Sequence, residues 1–199
     1  MILLTIALAV ALVIGVVGVW WRPWETEEPP APPPETVCNG LYETAELNRI
    51  LGSQIGDSWM TQLSSRTSTC TVLSGKPPAT NSKGYELDDA IMMIDFWRYD
   101  YYEAGNGYKW TDETMAADTD NGVQKLDIPQ LEGNTYLWVM QFNSENDVHG
   151  YWFGDGFTVV VNLLHPENGL DAPHNTREAV EVMPELLTYI GTNAQNHPA

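Results

Sequence analysis

Residues 148–164 read VHGYWF-GDG-FTVVVNLL, and their interpretation decides the fold. Two runs rich in aromatic and β-branched side chains flank Gly154-Asp155-Gly156. A D-G pair supplies the backbone freedom of a tight turn between two antiparallel strands. The turn has no third glycine and leads into a strand, so it is not a dinucleotide-binding fingerprint. Just upstream, residues 135–142 (TYLWVMQF) are almost continuously apolar and read as a buried strand beside this hairpin.

Working outward, residues 90–102 (AIMMIDFWRYDYY) are too aromatic for a comfortable exposed helix and read as one long strand. Alternation then places Trp97, Tyr99 and Tyr101 on one face and Phe96 and Tyr102 on the other. Residues 67–73 form an earlier strand, preceded by a Ser/Thr-rich loop, and residues 76–83 (KPPATNSK) form a turn. Residues 43–51 (ETAELNRIL) put Leu47, Ile50 and Leu51 on one side of a short helix that Gly52 ends. A closing helix covers residues 176–190, interrupted at Pro184 and stopped by Gly191. Helix, antiparallel strands, helix is the order of an α+β domain, a mainly antiparallel sheet with packed helices.

Cys38 and Cys70 are the two cysteines. Their spacing fits no zinc or redox motif, so the expectation is a disulfide closing the first helix onto the first strand. Such bonds persist outside the cytosol, which places the domain on the extracytoplasmic side.

Residues 1–21 (MILLTIALAVALVIGVVGVWW) carry no charge. As a helix they would span about 31 Å, enough to cross a bilayer. Trp20, Trp21 and Trp24 would sit at the membrane interface. A basic leading region and small residues at a cleavage point are both missing, so a permanent anchor is expected. Ala7, Ala11, Gly15 and Gly18 share one helical face, a surface suited to close packing against another membrane helix. Residues 25–36 (ETEEPPAPPPET) are too proline-rich to form a helix or pair in a sheet and act as a stiff spacer. The expected organisation is a transmembrane helix over residues 1–22, a Pro/Glu-rich linker over 23–37 and an extracytoplasmic domain over 38–199.

The chain has 199 residues, with 27 Asp+Glu against 9 Lys+Arg and a net charge of −18. This excludes recognition of nucleic acid or anionic lipid through a basic patch. No nucleophile elbow, zinc-protease motif or phosphate loop is present, so no catalytic residue and no cofactor is expected. Asp118-Thr119-Asp120-Asn121-Gly122 hints at a calcium loop, but its glycine comes one position early and Pro129 stands where the last ligand should be. His165, Glu167, Asp171 and His174 fall in a Pro/Gly-rich loop and read as turn and capping residues, so no metal is expected. His149 reads as a strand-end residue. Asp88-Asp89 and Asp112/Glu113 read as chance neighbours in an acidic chain. The aromatic group Trp97, Tyr99, Tyr101 and Tyr102 is the candidate surface for a protein partner.

Cys38-Asn39-Gly40-Leu41 and Ser68-Thr69-Cys70-Thr71-Val72 carry a resemblance. A cysteine opening the domain, a short helix, and a second cysteine on a strand resemble small secreted or lipoprotein-like actinobacterial domains of unknown function. The resemblance implies a sheet-plus-helices fold similar to the Mog1/PsbP type. Here a membrane helix stands in place of the lipid. The single-span acidic architecture also resembles accessory subunits of the actinobacterial respiratory bcc–aa3 supercomplex. The expected function is a non-catalytic accessory subunit at the cell membrane, contacting membrane subunits through its helix and acidic domain. The alternative is a membrane-tethered ligand-binding or sensor domain of the cell envelope, which requires an apolar pocket between sheet and helix.

Overall fold

The computed structural model describes residues 32–75, 90–103, 109–142, 145–164 and 175–196. The chain divides between Pro32 and Pro33, and the described fold belongs to the second unit. Residues 1–31 lie outside the described residues, and with them the anchor, Trp20, Trp21, Trp24 and the Ala7/Ala11/Gly15/Gly18 face. Among the described residues no helix is long and apolar enough to cross a membrane.

The first described elements are a small ribbon, β1 (Thr36–Val37) against β2 (Tyr42–Glu43), then helix α1 (Thr44–Leu51). Thr36, assigned to the spacer from sequence, pairs with Glu43. The proline run ends two residues earlier, which frees its amide for the ladder. Between β1 and β2 the chain reverses through Cys38, Asn39 and Gly40, all at positive φ. In α1, Thr44, Leu47, Ile50 and Leu51 are buried, and Gly52 closes the helix in the left-handed conformation.

Two antiparallel meanders follow: β3 (Ile55–Ser64), β4 (Thr67–Ser74), β5 (Ala90–Trp97), and later β8 (Gln124–Leu126), β9 (Asn134–Phe142), β10 (Glu145–Gly154), β11 (Phe157–Leu163). β5 pairs with β11, which joins them into a seven-stranded sheet of order β3-β4-β5-β11-β10-β9-β8. Every pairing is antiparallel. Between the meanders lie β6 (Tyr101–Glu103), paired with β7 (Lys109–Thr111), helix α2 (Asp112–Ala117), and a single 3-10 turn at Thr119–Asn121. Helix α3 (Thr176–Asn196) closes the chain.

The sequence expectation of a mainly antiparallel sheet with a few helices is met, as is the hairpin about Asp155-Gly156. Four details differ. The Ser/Thr-rich stretch before Thr67, which predicts a loop, belongs in large part to β3, a ten-residue edge strand whose Trp59 and Leu63 face solvent, so its alternation carries little apolar signal. The strand starting at Ala90 ends at Trp97, bends, and resumes as β6 in a separate sheet. Helix α3 runs through Pro184 and past Gly191. A Cβ at Gly191 would come within 2.7 Å of Leu131 and 3.0 Å of Trp152, so this glycine permits close packing and is not a stop. The disulfide is formed, with Cα atoms 5.5 Å apart, but it ties the β1–β2 turn to β4, the sheet's second strand, and not helix to first strand.

Strand alternation gives the sheet two unlike faces. The inner face carries Cys70, Val72, Met92, Ile94, Val159, Val161, Val148 and Trp152, which join Leu47, Ile50, Met183, Leu186, Leu187 and Ile190 of the helices in one core. Gly150 lets α3 approach: a Cβ there would lie 2.5 Å from Met183 Sδ. Arg49 links the helices by bonding Glu46 of α1 and Glu185 of α3. The outer face is covered at β9 and β10 by a second cluster, in which Met115, Val123, Tyr136, Tyr151, Phe153 and Val160 pack with Tyr102, Trp110 and Trp138.

Candidate functional site

Helix α3 packs chiefly along β10, with lesser contact to β9 and β11, while α1 meets α3 and β3. At one end of the inner face, where β4, β5 and β11 reach their turns, α3 contributes only its last residues, Ala194 and Gln195, to the lining of an opening. A cavity of about 830 Å³ opens there. Its apolar lining includes Leu41, Phe96, Phe157 and Ala194, each half-buried and packed against the main core. Polar walls come from the β3–β4 turn, the β10–β11 turn and the loop before β9.

The walls are held in place by specific bonds. Arg98 N–H donates to the Arg66 carbonyl at 2.9 Å, fixing the end of β5 to the β3–β4 turn. Trp152 Nε1 donates to the Glu132 carbonyl at 3.0 Å, fixing the loop before β9. Gly133, at φ 120°, sits where a Cβ would meet the Phe153 carbonyl at 2.1 Å. Arg66 stacks over Tyr99, 5.4 Å from the ring centroid. Arg66 and Arg98 lie on the β4–β5 side of the cavity, and Glu132 and Asp155 on the β9–β10 side.

A second polar group lies on the outer face. Thr69 Oγ1 donates to Asp95 Oδ1 at 2.5 Å, and Asn162 Nδ2 to Asp95 Oδ2 at 3.3 Å. All three residues are buried. Burial raises the Asp95 carboxyl above its ordinary value, against the two hydrogen bonds. Asn162 lies across the ladder from His149, whose imidazole is lowered by burial, against Asp147 and Asn162. Tyr102 is pushed up to about 12 by burial and then by the Asp95 charge. Tyr151 rises for the same first reason, then through Tyr102 and Asp95. Burial pushes both the carboxyl and the imidazole towards their neutral forms, and the His149 ring stacks on Tyr151 with centroids 6.1 Å apart.

The sequence-derived candidates fall as follows. Cys38 and Cys70 are bonded. Trp97, Tyr99, Tyr101 and Tyr102 come together, but not on alternate faces: Trp97 touches all three tyrosines, with ring centroids 5.3 to 6.4 Å apart, because the chain bends after Trp97. Tyr99 and Tyr101 stack at 5.0 Å. His149 lies inside β10, not at a strand end. Asp118 accepts from the Asn121 side chain within the 3-10 turn. Asp112 accepts from Tyr136 Oη at 2.6 Å and from Asn134 at 2.9 Å, which makes it a structural acceptor. Residues 76–89 and 165–174, with Asp88, Asp89, His165, Glu167, Asp171 and His174, lie outside the described residues. Among the described residues no three His, Cys, Asp or Glu side chains cluster to hold a metal ion. The cavity itself escaped sequence reading, since its walls come from separate segments; two arginines in a base-poor chain were the one available signal.

No protein-family model, curated protein or solved structure matches this chain.

Proposed function

We propose that this chain is a membrane-tethered domain of the cell envelope that binds a small apolar-bodied ligand. The observation that carries this reading is the cavity of about 830 Å³ between the sheet and the end of α3. Ligand sites commonly have ~300–1,000 Å³, an apolar lining and a few polar groups. The uncharged run of residues 1–21 supports the tether. The Cys38–Cys70 bond supports an extracytoplasmic position. The domain does no chemistry on its ligand in this reading.

The test is a titration of Nile red, a neutral apolar dye, into the full chain in phosphatidylcholine nanodiscs, with empty nanodiscs as blank. Saturable fluorescence above the blank is expected, and it disappears in Ala194→Trp and in Ser68→Phe, which set a large ring into the cavity. Equal signal from the filled variants, at unchanged melting temperature, would overturn the proposal.

A second reading is a non-catalytic accessory subunit of a larger membrane complex, such as a respiratory supercomplex. It is favoured by the half-exposed Trp97/Tyr99/Tyr101 stack and by the small-residue face of Ala7, Ala11, Gly15 and Gly18. Co-purification of stoichiometric membrane subunits after mild detergent extraction would support it, and migration as a lone monomer would remove it.

A further inference from the structure

The cavity's charges define the class of ligand, an inference that rests on the binding reading above. The chain has three acids for every base, so acids beside any pocket are expected by number alone. Two adjacent arginines are not. Arg66 and Arg98 stand on the same wall, their backbones joined by the 2.9 Å Arg98 N–H to Arg66 carbonyl bond. Among the described residues neither guanidinium pairs with a carboxylate; the ion pairs there use Arg49, Lys109 and Arg177. The Arg66 guanidinium carbon lies over the Tyr99 ring, 5.4 Å from its centroid. The N–H edge of a guanidinium is the part that grips an oxyanion in a two-point fork.

Sheet order sets the direction of the site. The arginines lie towards β4 and β5, and the carboxylates Glu132 and Asp155 towards β9 and β10. An anionic group is attracted to the first side and repelled from the second, and a second negative charge on the ligand would face Glu132 or Asp155. Between the two sides lie Phe96 and Phe157, continuous with the core and open to the cavity. We propose that the ligand is a monoanionic amphiphile, with an oxyanion head held by Arg66 and Arg98 and an apolar body laid over Phe96 and Phe157.

Head chemistry and cavity are separable by experiment. Tetradecanoate, tetradecyl phosphate and neutral tetradecanol are each titrated by Nile red displacement from the full chain in phosphatidylcholine nanodiscs, with Ala194→Trp nanodiscs as blank. At least one anion is expected to bind ~10-fold or more tightly than the alcohol, since charge-assisted hydrogen bonds are the strong ones. The two anions tell a carboxylate head from a phosphate. In R66Q/R98Q that preference, read as the ratio of anion to alcohol affinity within the same variant, collapses towards unity. Equal binding of alcohol and both anions, or a preference that survives R66Q/R98Q, would overturn the inference and leave the cavity reading standing. Failure of Nile red itself to bind the wild-type chain removes both.

Discussion

The two faces of the sheet are made by the same strands and bury different things. Cys70, Ile94, Val161 and Trp152 point inward under α1 and α3, where dispersion and water exclusion suffice. Their sequence neighbours Thr69, Asp95, Asn162 and Tyr151 point outward and are also buried, though less completely, and most need a partner atom for atom. An apolar face loses stability in proportion to volume removed. A polar one loses it whenever one partner is removed and the other stays.

That contrast can be broken by substitution. The largest effect belongs to the inner face: Trp152→Ala is expected to cost about 3–5 kcal/mol in urea denaturation, since the side chain is fully buried and also bonds Glu132. Next comes the bridge from the β1–β2 turn to β4. Paired Cys38→Ser and Cys70→Ser changes free a loop of sequence separation 32, and a loss of about 3–4 kcal/mol is expected from the same measurement. On the outer face, Thr69→Val keeps the shape but orphans Asp95 Oδ1, for a loss of about 1–3 kcal/mol.

Asp95→Asn sharpens the comparison through pH. The carboxyl holds its proton to higher pH when folded than its unfolded value near 3.8. Its contribution to stability is therefore present below that value and is lost as pH rises through the folded pKa. The variant lacks this slope, so its stability relative to wild type rises as pH climbs above that value, read as urea midpoints across a pH series. A relative stability that stays flat or falls as pH climbs would contradict the raised carboxyl. Smallest of all, Leu63→Ser on the solvent side of β3 should stay within about 0.5 kcal/mol of wild type.

What could be read from the sequence depended on how local each signal was. The hairpin at Asp155-Gly156 and the helix ended by Gly52 announce themselves within a few residues, and both are present. β3 hid because an edge strand has one partner, and its Trp59 and Leu63 face water. Gly191 misled because a glycine near a helix end fits either a stop or a close contact, and only Leu131 and Trp152, distant in sequence, decide. The aromatic run looked like one strand because the bend at residues 98–100 carries no proline or glycine. His149 looked terminal beside Gly150, yet that glycine serves the packing of α3 in mid-strand. The cavity depends on where helices stop covering the sheet, which no window of sequence records.

The Cys38–Cys70 bond also has a mechanical meaning. A pull arriving from the N-terminal side reaches Cys38 and crosses a covalent link directly into β4, flanked on both sides by β3 and β5. The thirty-one residues between the two sulfurs, including α1 and β3, are bypassed by the load path. Once β1 has been pulled off, tension therefore cannot peel α1 and β3 in turn; it must drag on a strand clamped along both edges.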